Sequence, residues 1–176
     1  DQSELSERND MTSPLAVAVT GAGSGIGLRA AAELTRRGHT VLAIVRNPER
    51  ARTALDQVTG SAPGRLEIVR GDLADPDSIA AAADLISSRG PLDALINNAA
   101  NFDLTLRSAH RTPRGHELIW ATNHLGPWEL TARLSPALAA SPRPHVVFVA
   151  SKWLVTMPRI RIHWDALDGE GWYTPV

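Results

Sequence analysis

The sequence predicts an α/β fold, a doubly wound parallel sheet of five strands with helices on both faces. Three observations carry this. Short apolar runs, Leu15–Val19, Val41–Val45, Leu66–Val69, Leu92–Ile96 and Val146–Val149, alternate with Ala-rich stretches of helical length. Most runs are nearly continuous in apolar residues, as expected of parallel strands covered on both faces. Strand starts recur about every 25 residues early in the chain, the pitch of a strand–helix–strand unit. With right-handed crossovers, the predicted strand order is 3-2-1-4-5.

Helices are expected over 25–37, 48–58 and 76–88, with a longer one around 115–140. The punctuation agrees: Gly38 closes the first, Asn47-Pro48 opens the second, and Asp75-Pro76 caps and begins the third. The chain has 176 residues, enough for one domain with a substantial core. Hydrophobic residues make up 43% and charged residues 21%, an ordinary globular balance. A formal net charge of −1 gives no field to gather nucleic acid or an anionic membrane. The absence of cysteine removes disulfides, thiolate metal sites and a Cys nucleophile from consideration. Six scattered histidines form no spaced cluster with carboxylates, so no metal site is expected. No apolar run approaches the roughly 18 residues that span a bilayer. A cytoplasmic location is the default expectation.

The first strand runs directly into Thr20-Gly21-Ala22-Gly23-Ser24-Gly25-Ile26-Gly27, and a helix follows. That order suits a pyrophosphate: backbone N–H groups must come close to it, and the helix N-terminus supplies positive potential. Side chains at Gly21 or Gly25 would obstruct the approach, while Gly27 allows tight helix–strand packing. Ser24 and Ile26 complete the turn. No Gly-Lys-Ser/Thr follows, which excludes a kinase-type phosphate loop. The reading is therefore a dinucleotide-binding Rossmann domain over 14–150. Residues 1–13 form a polar lead-in, disordered or cloning-derived, with Met11 a candidate natural start. Residues 151–176 form an incomplete loop after the fifth strand.

An NAD-selective site would place an acid at the end of the second strand to hold the ribose 2′-hydroxyl. Here the strand ends Val45-Arg46-Asn47. Arg46, with Asn47 beside it, would pair with a 2′-phosphate, which favours NADP(H) over NAD(H). A solvated strand-end cation is the competing reading of Arg46.

The arrangement Thr-Gly-x-x-x-Gly-x-Gly at 20–27 resembles the short-chain dehydrogenase/reductase family, and further matches follow in order. Asp72-Leu73 resembles the family's adenine-contacting pair. Asn97-Asn98-Ala99-Ala100 resembles its Asn-Asn-Ala-Gly signature, with Ala in the last place. Asn123-His124-Leu125-Gly126-Pro127 is similar to the Asn-containing helix of retinol-dehydrogenase-like members. Val146–Ser151 resembles the strand that ends in the catalytic Ser. The resemblance implies that Asp72 and Leu73 receive adenine and that Asn98, Ala99 and Ala100 lie along the cofactor. It also implies that Asn123 holds a helix open and anchors a water in a proton relay, and that Ser151 donates to the substrate oxygen. Plainer roles stay open for each: a helix cap for Asp72, a turn for Asn98, surface polarity for Asn123, an ordinary loop hydroxyl for Ser151.

The family's proton donor is a Tyr with a Lys four residues later, and no Tyr-x-x-x-Lys occurs. The one tyrosine is Tyr173. Phe148-Val-Ala-Ser-Lys152 mimics part of that pattern, but it belongs to the fifth strand. Ile160–Glu170 is similar to the inserted loop of retinol-dehydrogenase-like members, which delays the Tyr. The resemblance thus implies that the chain stops just before its catalytic helix, with the C-terminal part of the fold missing and an apolar sheet edge left bare. An oligomer, or association with a complementary chain, is expected to cover that edge.

The expected function is an NADP(H)-dependent oxidoreductase acting on a small carbonyl or alcohol and completed by sequence beyond Val176. The alternatives are a non-catalytic NADP(H)-binding module and a protein of the same fold with non-redox chemistry.

Overall fold

The computed structural model describes residues 13–103, 108–152, 164, 165 and 167. Five parallel strands lie in the order β3-β2-β1-β4-β5, the predicted one. They are β1 (Ala16–Thr20), β2 (Thr40–Val45), β3 (Arg65–Arg70), β4 (Ala94–Asn97) and β5 (His145–Phe148). Helices α1 (Gly25–Arg36), α2 (Pro48–Thr59) and α3 (Pro76–Ser87) fall where the punctuation placed them. The expected long helix is instead three pieces: α4 (Leu118–Trp120), a π-helical turn (Ala121–Leu125) and α5 (Gly126–Ala139).

The local chemistry explains the boundaries. Asn47 caps α2 by accepting from Arg50 N at 3.0 Å, and Asp75 caps α3 by accepting from Asp77 N at 3.1 Å. A proline follows each cap, where its missing N–H costs nothing. In α5, Pro136 cannot donate to the carbonyl of Ala132, and the Ser135 hydroxyl takes its place at 2.8 Å.

Buried residues at helical spacing divide the core into two layers. Ala31 and Ala32 of α1 and Ala51 and Leu55 of α2 cover one face of the sheet, over Val17, Val19, Val41 and Ala43. Ile79 and Ile86 of α3 and Leu130 and Leu134 of α5 cover the other, over Ala18, Leu42 and Leu95. Alternate residues of β1 and β2 thus serve opposite layers, which is why their sequences are apolar without a break.

Unlike β1 and β2, the fifth apolar run is an exposed edge, in line with the bare apolar edge that the resemblance implied: Val146, Val147 and Phe148 are 41%, 45% and 58% exposed. Among the described residues, β5 is an edge strand that pairs with β4 alone, and all four of its residues are exposed.

At the N-terminal ends of the strands, Asp93 accepts from Ala16 N and from the Ser141 hydroxyl, both at 2.7 Å, and so ties β1 to the segment before β5. Nearby, Arg89 forks onto both carboxylate oxygens of Glu67, at 2.5 and 3.1 Å. That guanidinium holds the Glu67 carboxyl below its ordinary value of 4.5, against a smaller opposing effect of burial. A depressed carboxylate stabilises the fold above its ordinary pKa, and the contribution is lost as pH falls through the folded value. Arg89→Ala is therefore expected to lower stability at neutral pH only slightly, since the pair is largely solvated. It should also flatten the acid limb of stability against pH, as measured by chemical denaturation. An unchanged acid limb would show that the pair contributes nothing.

Candidate active site

The strand order reverses between β1 and β4, and the crevice at the C-terminal ends of the strands opens there, as doubly wound sheets require. A cleft of about 290 Å³ runs from the glycine turn to the end of β2, past Asp72 and up to Ala100 and Asn101.

The turn is shaped by its glycines in different ways. Gly21 has φ +68°, and a Cβ there would lie 2.9 Å from Ala99 Cα. Gly25 has φ +55°, yet its Cβ would point into open space. Backbone conformation demands glycine at that position, and the space beside it is left for something else. Gly27 has no room at all, because a Cβ would run into Asn98 Nδ2 and the Gly21 carbonyl. Ser24 is the N-cap residue of α1, but its hydroxyl does not cap the helix, and the first turn carries no acid. The first N–H groups of α1 thus face the cleft end with neither a capping oxygen nor a competing carboxylate.

At the far end, Arg46 and Arg50 both border the cleft and both are exposed. Neither forms an ion pair among the described residues. Asn47 borders it too, although its Oδ1 is committed to the α2 cap. Asp72 is not a helix cap. Its Oδ1 accepts from Ala74 N at 3.0 Å, forming an Asx turn, and its own N–H donates to the Ser78 hydroxyl at 2.9 Å. Leu73 borders the cleft but is 7% exposed and joins the core. Gly126 fits against it, since a Cβ there would strike the Leu73 carbonyl.

Ala99 and Ala100 border the cleft, whereas Asn98 stands behind it. Its Nδ2 donates to the Thr20 carbonyl at 3.0 Å, and its N–H donates to Thr20 Oγ1 at 2.9 Å. Ala99 N donates to the same hydroxyl oxygen at 2.9 Å. Thr20, 1% exposed, is the hinge post that fastens β1 to the loop after β4, a role the sequence reading missed. A lone hydroxyl ending an apolar strand was the available signal. Thr20→Val keeps the shape but leaves two amides without an acceptor. It is expected to cost about 2 kcal/mol or more in denaturant unfolding. A variant as stable as the parent would show that the amides find other partners.

Asn123 lies in the π-helical turn, a rare geometry that concentrates at functional sites. Its Oδ1 accepts from Asn101 N at 2.6 Å and its Nδ2 donates to the Asn101 carbonyl at 2.8 Å. Both halves of the amide are thus occupied by one residue of the loop after β4. Trp120 stacks on His124 across the same turn, with centroids 4.2 Å apart. Ser151 follows β5, whose continuation is held by Val149 N donating to the Asn97 carbonyl at 2.9 Å. Ser151 is exposed and stands on the same C-terminal edge of the sheet, though it does not border the cleft. Lys152 is an exposed residue beyond the strand, as its position in the Phe148–Lys152 run required. Tyr173 and Ile160 to His163 lie outside the described residues. Among the described residues no group of His, Asp and Glu could hold a metal, and no helix is long and apolar enough to cross a membrane. Arg111 donates to the Gly115 carbonyl of its own loop, and Arg114 pairs with Asp77 at the start of α3 at 3.1 Å.

A glycine cradle at the switch point of a parallel sheet, followed by the Asn-Asn-Ala strand end and an Asn in a broken helix, defines a class. The chain belongs to the short-chain dehydrogenase/reductase family: the family model described as short chain dehydrogenase matches residues 15–160. Within the family it is retinol-dehydrogenase-like. It is 40% identical over 135 residues to human dehydrogenase/reductase SDR family member 13, covering 76% of this chain and 34% of that protein. With mouse retinol dehydrogenase 14 it shares 36% identity over 148 residues, covering 77% and 43%. The chain thus spans less than half the length of these curated relatives. Among solved structures it is similar to a metagenomic short-chain oxidoreductase in complex with NADP, with a TM-score of 0.68 and 29% identity, covering 80% of this chain and 62% of that one. It also matches a short-chain dehydrogenase from Sphingobium yanoikuyae in complex with NADPH, with a TM-score of 0.66 and 25% identity, covering 82% and 56%.

Proposed function

We propose that this chain holds the cofactor of an NADP(H)-dependent oxidoreductase that interconverts a small carbonyl and its alcohol. The observation that carries the choice of cofactor is the pair Arg46 and Arg50 on the cleft, with no acid between Val45 and Pro48. Two guanidinium groups there match a 2′-phosphate by charge and by planar hydrogen-bonding geometry. The dinucleotide, when bound, supplies or accepts the hydride.

The residues of this chain do the rest. Gly21, Ser24, Gly25, Ile26 and Gly27 present backbone N–H groups and the α1 N-terminus to the pyrophosphate, and the open space at Gly25 is the fit expected of such a cradle. Arg46, flanked by Asn47, takes the 2′-phosphate with Arg50. Asp72 and Leu73 border the place for adenine. Ala99 and Ala100 line the path toward nicotinamide, with Asn98 fixing the turn from behind. Asn123 orders the loop at Asn101 and, from its irregular turn, anchors a water in a proton path. Ser151 donates to the substrate oxygen.

Titration of the chain with NADPH and NADH, followed by nicotinamide fluorescence or calorimetry, tests this. NADPH should bind at least about tenfold more tightly, the equivalent of one charge-assisted contact. Equal affinity for the two, or no binding of either, would defeat the reading.

A further inference from the structure

The helical stretch that carries Asn123 is fastened to the end of β4 at two places. At the first, Asn123 grips both backbone groups of Asn101. At the second, further along α5, Asn97 Nδ2 donates to Thr131 Oγ1 at 3.1 Å. Asn97 is the last residue of β4 and is 5% exposed. The Thr131 hydroxyl in turn donates to the Pro127 carbonyl at 2.7 Å, in the turn that directly follows the π-helical residues.

A hydroxyl carries a single proton, and that of Thr131 is committed to Pro127, so toward Asn97 the oxygen can only accept. This fixes which way the buried amide points. The other half of that amide, Oδ1, has no partner among the described residues, so Thr131 is its anchor. The apolar contacts of Leu130 and Leu134 press α5 onto the sheet, but such contacts are non-directional and permit sliding along the helix axis. A hydrogen bond from a strand end to one hydroxyl sets the axial position.

The geometry points to Thr131 as a positioning residue: by clamping α5 to the end of β4 through Asn97, it sets where the π-helical turn stands and so keeps the Asn123 amide on Asn101. The functional consequence rests on the reading of Asn123 as a site residue given above, while the coupling itself is testable without it.

The test is amide hydrogen exchange, read residue by residue in Thr131→Val and Thr131→Ser. The Asn101 N–H, held by Asn123 Oδ1, should exchange about tenfold faster in Thr131→Val and return to the parent rate in Thr131→Ser. The amides of Val17 to Val19 in β1 should not change, which separates loss of position from loss of stability. An Asn101 rate unchanged in Thr131→Val, or one that rises only in step with the β1 amides, would overturn the proposal. NADPH affinity of Thr131→Val is expected to match the parent. A parent chain that binds no NADPH defeats the cofactor reading and leaves the exchange result to decide this one.

Discussion

Gly27→Ala is expected to lower the melting temperature by roughly 6–12 °C and to abolish measurable NADPH binding together with it. The added methyl would run into the Gly21 carbonyl and Asn98 Nδ2 and would lie 2.9 Å from Gly21 C. Neither obstacle can swing aside. Gly21 is fixed by its N–H donating to the Ile44 carbonyl at 3.0 Å, and the Asn98 amide is bonded to the Thr20 carbonyl at 3.0 Å. Forcing α1 off the turn therefore disturbs the β1–β4 junction and the cradle at once, at a cost of about 3 kcal/mol or more. Gly25→Ala is the informative companion. Its methyl meets nothing, so its stability cost is the strain of a side chain at φ +55°, about 1–2 kcal/mol. Thermal unfolding of the two variants side by side gives the answer. If Gly27→Ala melts no lower than Gly25→Ala, then α1 can tilt away and the close packing is not a constraint.

The second large effect concerns the choice of cofactor. Replacing both Arg46 and Arg50 by Ala should weaken NADPH binding by roughly 10–100-fold while moving NADH by less than about threefold. Each guanidinium contributes at the low end of a charge-assisted contact because both are exposed and screened by solvent. The same logic makes the parent's preference for NADPH fall with added salt. Competitive titration of both nucleotides against parent and double variant measures it. A parallel loss of both affinities would mean that the arginines hold the adenine end generally and do not read the phosphate.

The sheet was legible because its information is local. Apolar runs of strand length, Pro after Asn47 and Asp75, and glycines at the turn each act within a few residues, and the strands fall within two residues of where those signals put them. What escaped is long-range. Thr20 acts on Asn98 and Ala99, 78 and 79 positions away, and nothing next to Thr20 announces it. Asn101 joins Asn123 through its backbone alone, which no side chain can advertise. Arg50 reads as one more surface cation on a helix until the sheet brings it to the same cleft as Arg46. The break in the long helix was signalled only by the resemblance at Asn123, for a related reason: residues 121–125 carry no proline, and an ordinary α-helix would accept them. The exposure of β5 was legible only through the family resemblance, because an apolar run says what a strand prefers to touch, not whether a neighbour is there.

The π-helical turn also acts as a phase shifter. An extra residue accommodated in one turn rotates everything downstream by roughly 100° relative to an unbroken α-helix. Upstream of it Trp120 is half-buried, and within its first residues Thr122 borders the cleft. Downstream, Leu130, Leu134 and Leu138 face the core. Those two sets can be satisfied together only at this offset. Deleting one residue from Ala121–Leu125 would give a regular helix with its two ends out of step, so that seating either end would turn the other away from its partners. The candidate site residue Asn123 therefore lies in a stretch whose irregular backbone keeps the cleft and the core in register.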